Sequence, residues 1–469
     1  MNSTPRSLSD LDALLFAADT PAQPLHVLAA VVLDGSSVAS PWDYETFQKR
    51  IAERFYQIDP LRSRPVWGTM GRPLLINDPS IDLQHHLHHI VVPEGGGIDA
   101  LAEAASKIAS EALPKNRPLW GAWFVEGFDK DRAAMIAKIH HSAVDGVFGI
   151  FALAGFFDLE PFPTSQESPP DDSLRPSRLP QLLGAKASEL RQRPAVVARA
   201  VGQAATAAAT SVTRFRGRRP PLPLTAPRMS YNRALTPERS VAFTSLDLQE
   251  VRRVGRAFGA SVNDVVVALC AGVLRRYGIQ CGDLPDRPLI ATIPVSERAS
   301  DDRAAGNQLA FMFYEIPVHL GDPGDRVRFV QQSARVAKEA HGRAGAGLLS
   351  SLATLIPKMV VGPAMRAASS LRVTSIVPPI ANVMISSLRG PGVSLFASGA
   401  RVSSIFPLGP VIEGIGLCIT AISYQDELAF GFIACADHVT DIGDFTTGLQ
   451  LEMVGLVDVV AERSPDERD

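Results

Sequence analysis

Two adjacent histidines are followed closely by aspartate and glycine in Ile139-His140-His141-Ser142-Ala143-Val144-Asp145-Gly146. With an unperturbed pKa of about 6.5, histidine is the usual side chain for taking a proton from an alcohol near neutral pH. Ala133–Ile139 (AAMIAKI) reads as a buried strand and Val147–Phe157 as an apolar helix. The motif therefore occupies the turn off the end of a strand, where catalytic groups are commonly presented. Successive strand side chains point to opposite faces, so only one of His140 and His141 can face a given cleft; the other is structural. Asp145 can fold back to brace the turn through an arginine or backbone N–H groups, and Gly146 permits the close turn into the helix. His, His and Asp are also zinc-ligand types, but histidines pointing apart chelate poorly, and no metal is expected.

A second run, His85-His86-Leu87-His88-His89, places His86 and His88 on one face if it is a strand. That pair could chelate a metal; the reading preferred is a structural or cleft-lining role. Four cysteines, Cys270, Cys281, Cys418 and Cys435, stand far apart without a C-x-x-C pair. This argues against a zinc ribbon or redox dithiol and fits a reducing compartment.

The elements that must position these groups fall into two halves. In the first, Ala29–Leu33 reads as a strand, and Tyr44–Arg54 and Ile98–Leu113 as amphipathic helices. Pro161–Pro180 is rich in proline and polar residues, an irregular connection. Leu182–Arg219 is helix-prone and ends in Arg214, Arg216, Arg218 and Arg219, which suit equally a solvated linker or an anionic-membrane contact. In the second half Val241–Asp247, Leu289–Pro294, Ile380–Ser386, Gly416–Tyr424 and Leu428–Ala434 read as strands. Leu248–Phe258, Ser261–Tyr277 and Gly443–Val460 read as helices. Alternating strands and helices in two halves predict a two-domain α/β protein, with domains at 1–162 and 236–469 and a linker at 163–235.

A chain of 469 residues with 46% hydrophobic and 20% charged residues has ordinary globular composition. Its net charge of −3 argues against nucleic-acid binding, which needs a basic excess. The N-terminus has a single basic residue, Arg6, and no apolar h-region, so no secretory signal is expected. No apolar run reaches the roughly 18 residues that span a bilayer. Leu348–Leu371 comes nearest but is broken by Pro357, Lys358, Pro363 and Arg366. It suits equally a buried core helix and a hydrophobic surface that docks on a bilayer or lipid droplet.

His140–Gly146 resembles the H-H-x-x-x-D-G signature of coenzyme A-dependent acyltransferases related to chloramphenicol acetyltransferase and to condensation domains. Further segments are similar to the bacterial wax ester synthase/diacylglycerol acyltransferase family: Leu8-Ser9-Asp10-Leu11-Asp12 through His26, Arg117-Pro118-Leu119-Trp120, Val262-Asn263-Asp264-Val265-Val266 and Pro294-Val295-Ser296-Glu297-Arg298. Gly306-Asn307 and Ser423-Tyr424 to Asp437 also align in order, so the resemblance covers roughly residues 7 to 460.

The resemblance implies two chloramphenicol-acetyltransferase-like α/β domains, each a mixed sheet with helices, with a tunnel between them. It implies acyl-CoA as co-substrate, no bound cofactor, and a lipid alcohol as acceptor at a membrane or lipid-droplet surface on the cytoplasmic side. His141 would be the general base, His140 and Asp145 its companions, and Arg62 the partner of Asp145. Gly146 and the trio Pro118, Leu119 and Trp120 would help bind substrate. So would Asn263, Asp264, Ser386, Ser387, Gly390 and Pro391. The family's S-N-V-P-G-P segment stands here as Ser386-Ser387-Leu388-Arg389-Gly390-Pro391, which puts acceptor choice and rate in question. Ser142 replaces a commoner alanine, and Asp444-Phe445-Thr446-Thr447-Gly448 only resembles the D-F-G-W-G motif of plant acyltransferases, lying in the last expected helix. Three readings follow: a diacylglycerol or long-chain-alcohol acyltransferase, a same-fold enzyme with another acceptor or a carrier-protein donor, and a lipid-binding paralogue.

Overall fold

The computed structural model describes residues 6–36, 38, 42–55, 58–66, 73–78, 81–143, 155–162, 221, 224–296, 309–344, 353–354 and 356–463. The first half contains β1 (Arg6–Ser7), α1 (Asp10–Ala18), β2 (His26–Asp34), α2 (Tyr44–Arg54), β3 (Ser63–Val66), β4 (Leu74–Asn77), β5 (Leu87–Val91), α3 (Gly97–Ser110), β6 (Trp120–Glu126) and β7 (Arg132–His140). The second half opens with β8 (Arg239–Asp247), α4 (Leu248–Phe258), α5 (Val262–Cys281), β9 (Leu289–Ser296), β10 (Leu309–Ile316), α6 (Pro323–Ala344) and α7 (Lys358–Ser370). It closes with β11 (Val383–Arg389), β12 (Phe396–Ala397), β13 (Ala400–Leu408), β14 (Leu417–Tyr424), β15 (Glu427–Cys435) and α8 (Gly443–Arg463).

β2 (HVLAAVVLD) and β7 (RAAMIAKIH) are near-continuous apolar runs because both lie inside a sheet covered on its two faces. They pair antiparallel in the six-stranded order β12-β13-β2-β7-β6-β5, with His26 opposite His140. The second sheet runs β10-β9-β11-β14-β15-β8, and β11 is parallel to both its neighbours. The fold is mixed α/β, as expected. β12 and β13 come from the 236–469 stretch yet complete the first sheet, so sheet membership and chain order part there.

The two sheets are joined by packing and by hydrogen bonds. Phe243 of β8 stacks on Phe406 of β13, with ring centroids 4.9 Å apart. β8 is an edge strand, and alternate amides on an edge face outward without a ladder partner. Two of them are met by α3: Arg239 N donates to Ser110 Oγ and Val241 N to Ser106 Oγ, each at 2.9 Å.

The expected elements at Tyr44–Arg54 and Leu248–Phe258 coincide with α2 and α4, and the other described ones agree to within a few residues at their ends. β10, α6 and β13 were not expected. The expected helix Val147–Phe157 lies mostly outside the described residues, as do the connection after residue 162 and the Arg214–Arg219 cluster.

Candidate active site

β7 ends at His140, and His141, Ser142 and Ala143 form the turn beyond it. Three main-chain hydrogen bonds set this turn: His140 N donates to Leu119 O at 3.0 Å, His141 N to Leu25 O at 2.8 Å, and Ala143 N to His140 O at 2.9 Å. The turn separates the environments of the two histidines. His140 is 1% exposed, packed edge-on against His26 at 5.5 Å and near Phe16 at 5.6 Å, whereas His141 is only half-buried.

Asp19, the residue that ends α1, sits beneath this pair and is itself buried. Its Oδ2 lies 3.4 Å from His140 Nε2 and 3.7 Å from His26 Nε2, and accepts the Leu25 amide at 2.9 Å. Its Oδ1 lies 2.8 Å from Lys115 Nζ. Burial works against a charged carboxyl here, but the His140 Nε2–H that faces it and the charge of Lys115 hold Asp19 well below the usual carboxylate range. His26 is pushed well below the ordinary histidine value, first by burial and then by the charge of Lys138, so it stays neutral.

Asp19, His26 and His140 bring three metal-ligand types within 4.8 Å of one another, so they are the group that could hold an ion. The protonation pattern does not suit one. The Ser142 amide donates to His140 Nδ1 at 3.1 Å, and an amide can only donate, so Nδ1 is the acceptor and the neutral ring carries its hydrogen on Nε2. A metal on Nε2 would need that hydrogen removed and Nδ1 protonated instead. The Lys115 ammonium already supplies the positive charge that a metal would bring to Asp19.

Pro118, Leu119 and Trp120 lie behind the histidines and are buried, at 2% and 3% exposure for Leu119 and Trp120. Leu119 holds His140 through its carbonyl, and the Trp120 indole donates to Leu61 O at 2.9 Å. Leu61 precedes Arg62 at the end of a 3-10 turn, Asp59–Arg62, so the tryptophan fixes where Arg62 starts from. Arg62 is half-buried; Asp145 and Gly146 lie outside the described residues, and so does the pairing expected between Arg62 and Asp145.

In the second half, Asp264 closes a capping box at the start of α5: Ser261 Oγ and N both donate to Asp264 Oδ2, and Asp264 N donates back to Ser261 Oγ. Asn263 is half-buried in the same turn. Ser386 and Ser387 are half-buried on β11, opposite Thr420 and Ala421 of β14. Gly390 follows, its amide bonded to Ser423 O at 2.9 Å; a Cβ there would meet that oxygen at 2.4 Å, so the close approach requires glycine. Pro391 is half-buried beside it, and Glu297, Arg298 and Gly306-Asn307 lie outside the described residues.

The histidine run stacks on aromatic rings. His86 lies on Trp120 at 4.5 Å, His88 on Trp123 at 4.9 Å and His89 on Tyr44 at 4.7 Å. His86 precedes β5 and its Nδ1 meets Trp120 O at 2.8 Å, so it supports the tryptophan.

Sequence reasoning passed over Asp19 and Lys115. A signal was there: an acidic residue just past the end of an apolar helix faces the negative end of the helix dipole and calls for a cation nearby. Lys115 answers it, also donating to Asp19 O at 3.1 Å and Phe16 O at 3.4 Å. A cleft of about 1050 Å³ lined by Leu33, Trp42, Val91, Asp129 and Arg132 opens elsewhere, at the far end of β7, about 26 Å along the strand from His140.

Known proteins match this chain along nearly its whole length. A protein of Mycobacterium tuberculosis named as a candidate diacylglycerol O-acyltransferase is 34% identical over 449 residues, covering 94% of this chain and 88% of its own length. Another from the same organism, named likewise, is 31% identical and covers 96% and 95%. Among solved structures, the wax ester synthase/diacylglycerol acyltransferase from Marinobacter aquaeolei VT8 superposes with a TM-score of 0.70 at 24% identity, covering 97% of this chain and 100% of that one. The first condensation domain of the CDA synthetase gives a TM-score of 0.57 at 14% identity, covering 98% and 97%. Residues 8–266 match the wax ester synthase/diacylglycerol acyltransferase catalytic domain and residues 305–456 the C-terminal domain of the same group. With both parts matched in order, the chain belongs to the wax ester synthase/diacylglycerol acyltransferase family.

Proposed function

We propose that this chain moves a long-chain fatty acyl group from coenzyme A to the hydroxyl of diacylglycerol, and of long-chain alcohols where these are supplied, with His141 as general base. The family makes it an acyltransferase. What supports His141 as the base is the contrast at the end of β7: His140 is sealed at 1% exposure, with Nδ1 bonded to the Ser142 amide and Nε2 facing Asp19 at 3.4 Å, while His141 is half-buried beyond the strand end. In this reading His141 takes the acceptor's hydroxyl proton and the alkoxide attacks the thioester carbonyl. The tetrahedral intermediate collapses with loss of the C–S bond, and the coenzyme A thiolate recovers the proton from His141. No acyl-enzyme is formed. Acyl-CoA is a co-substrate, and acceptor and donor would meet at His141 from opposite ends of a tunnel between the two sheets.

A lipid acceptor must arrive from an apolar phase, and the surface that suits it is α7 with the turn after it. Met359, Val360, Leu371, Ile376 and Ile380 are 68%, 56%, 72%, 79% and 49% exposed. Arg366 and Arg372 are exposed among them, and no Asp or Glu occurs between Glu339 and Glu413. Apolar side chains with exposed arginines among them suit an anionic bilayer or lipid-droplet surface. Among the described residues no single helix is long and apolar enough to cross a membrane. The chain would thus lie on the inner face of the plasma membrane or on lipid droplets.

Labelled acyl-CoA supplied with diacylglycerol, with a long-chain alcohol or with neither acceptor tests the reaction. Ester should form only with acceptor present and fall to background in His141→Ala; turnover unchanged by that substitution would sink the mechanism. Flotation with phosphatidylglycerol vesicles should be lost in a Met359→Glu, Ile376→Glu double variant. Equal flotation of both proteins would remove the docking surface.

A further inference from the structure

We propose that Asp19, Lys115 and Ser142 act through His140 as one brace that sets the position of the His140–His141 peptide, which makes all three positioning residues for the acyl transfer. The inference rests on the reading of His141 as the base.

Asp19 reaches the histidine pair by two routes. Its Oδ2 faces His140 Nε2 at 3.4 Å, and the same oxygen accepts the Leu25 amide at 2.9 Å. Leu25 in turn accepts the His141 amide through its carbonyl at 2.8 Å. The side chain of one histidine and the main chain of the next therefore hang on a single carboxylate. Ser142 closes the other end of the ring, with its amide 3.1 Å and its Oγ 2.8 Å from His140 Nδ1. The imidazole cannot rotate or change tautomer without breaking contacts at both nitrogens. Lys115 completes the brace, its ammonium joined to Asp19 Oδ1 and to two carbonyls at the end of α1.

The order Ser142, His140, Asp19 is also that of a nucleophilic triad. Burial decides between the two roles. Ser142 is 3% exposed, so its hydroxyl has no path to a thioester carbonyl and serves to lock the ring. The charged and titratable groups facing Asp19 are His26 from β2, His140 and the more distant Lys138 from β7, and Lys115 from the loop after α3.

The test compares Asp19→Asn, Lys115→Met and Ser142→Ala with the unmodified full-length chain and with His141→Ala. Initial rates with acyl-CoA and diacylglycerol are followed from pH 5.5 to 9, and intact mass is measured after exposure to acyl-CoA alone. Asp19→Asn should lower kcat on the order of 10- to 100-fold, the scale of a small misplacement of a reacting group, with KM for acyl-CoA within about twofold. Lys115→Met frees the Asp19 carboxylate and the end of α1 from their ammonium, so kcat should fall, by less than in Asp19→Asn, with KM for acyl-CoA again within about twofold. Ser142→Ala should lower kcat by less than Asp19→Asn, and no acyl adduct should form on the unmodified chain. Should Asp19→Asn fail to fold, Lys115→Met carries the test, since that side chain is 40% exposed. Unchanged kcat in Asp19→Asn or, where that variant does not fold, in Lys115→Met, beside an inactive His141→Ala, would overturn the brace and leave the base. An acyl group trapped on Ser142 would overturn its positioning role. A fully active His141→Ala would remove the base, and the brace with it.

Discussion

The indole N–H of Trp120 donates to the carbonyl of Leu61 at 2.9 Å, tying the first residue of β6 to the turn that ends in Arg62. Trp120 also carries the His86 ring on its face. The motif around it thus shapes the site from behind, through one indole N–H and the Leu119 carbonyl.

Trp120→Phe keeps most of the apolar volume and removes only that donor. It leaves the Leu61 carbonyl unpaired in a buried setting, a loss of about 1–3 kcal/mol. Denaturant unfolding should show this loss, together with a lower kcat as the Arg62 turn loosens. A variant with unchanged stability would mean that the bond contributes nothing.

Much of this scaffold was legible in the sequence. β2 and β7 stood out because strands buried on both faces are continuous apolar runs. β13 was missed because Ser403, Ser404 and Pro407 interrupt its pattern, and its pairing with β2 depends on a partner far away in the chain. The histidine turn was visible as a local motif. Asp19 was not, because its role comes from the end of α1 meeting His26 of β2 and His140 of β7 and from a lysine on another loop.

Lys138 gives an alkaline signature. It is 1% exposed within β7, and its ammonium donates to Ile108 O at 2.6 Å and to Glu111 O at the end of α3. Burial pushes it down to about 8 from 10.5, against the opposing pull of Glu111 and Asp19. The unfolded chain therefore binds more protons than the fold between those values, and raising the pH favours the fold. Relative to Lys138→Met, the unmodified chain should gain about 3 kcal/mol between pH 8 and 10.5. A flat difference across that window would mean that Lys138 titrates as if exposed.

The buried histidines act at the acid end. His26 is pushed well below the ordinary value by burial, then by the charge of Lys138, and His86 is lowered by burial despite its bond to Trp120. Both are favoured neutral in the fold, while the unfolded chain takes up protons near pH 6.5. Their contribution is present above that pH and is lost as pH falls, by up to about 1.4 kcal/mol per pH unit for each. Unfolding free energies measured at pH 7 and pH 5 should differ less in His26→Gln than in the unmodified chain. An unchanged slope would assign the acid sensitivity to other groups.

Asp264 separates two roles that a sequence motif cannot. Its Oδ2 closes the capping box with Ser261, whereas its Oδ1 is buried with no hydrogen-bond partner among the described residues. If capping is its whole function, Ser261→Ala and Asp264→Ala break the same box from opposite sides. Each should then cost about 1 kcal/mol and leave both KM values unchanged. If Oδ1 also meets substrate, Asp264→Ala alone should raise a KM, because Ser261→Ala leaves that oxygen in place. The capping role predicts the first pattern, and a rise in KM confined to Asp264→Ala would reject it in favour of substrate contact.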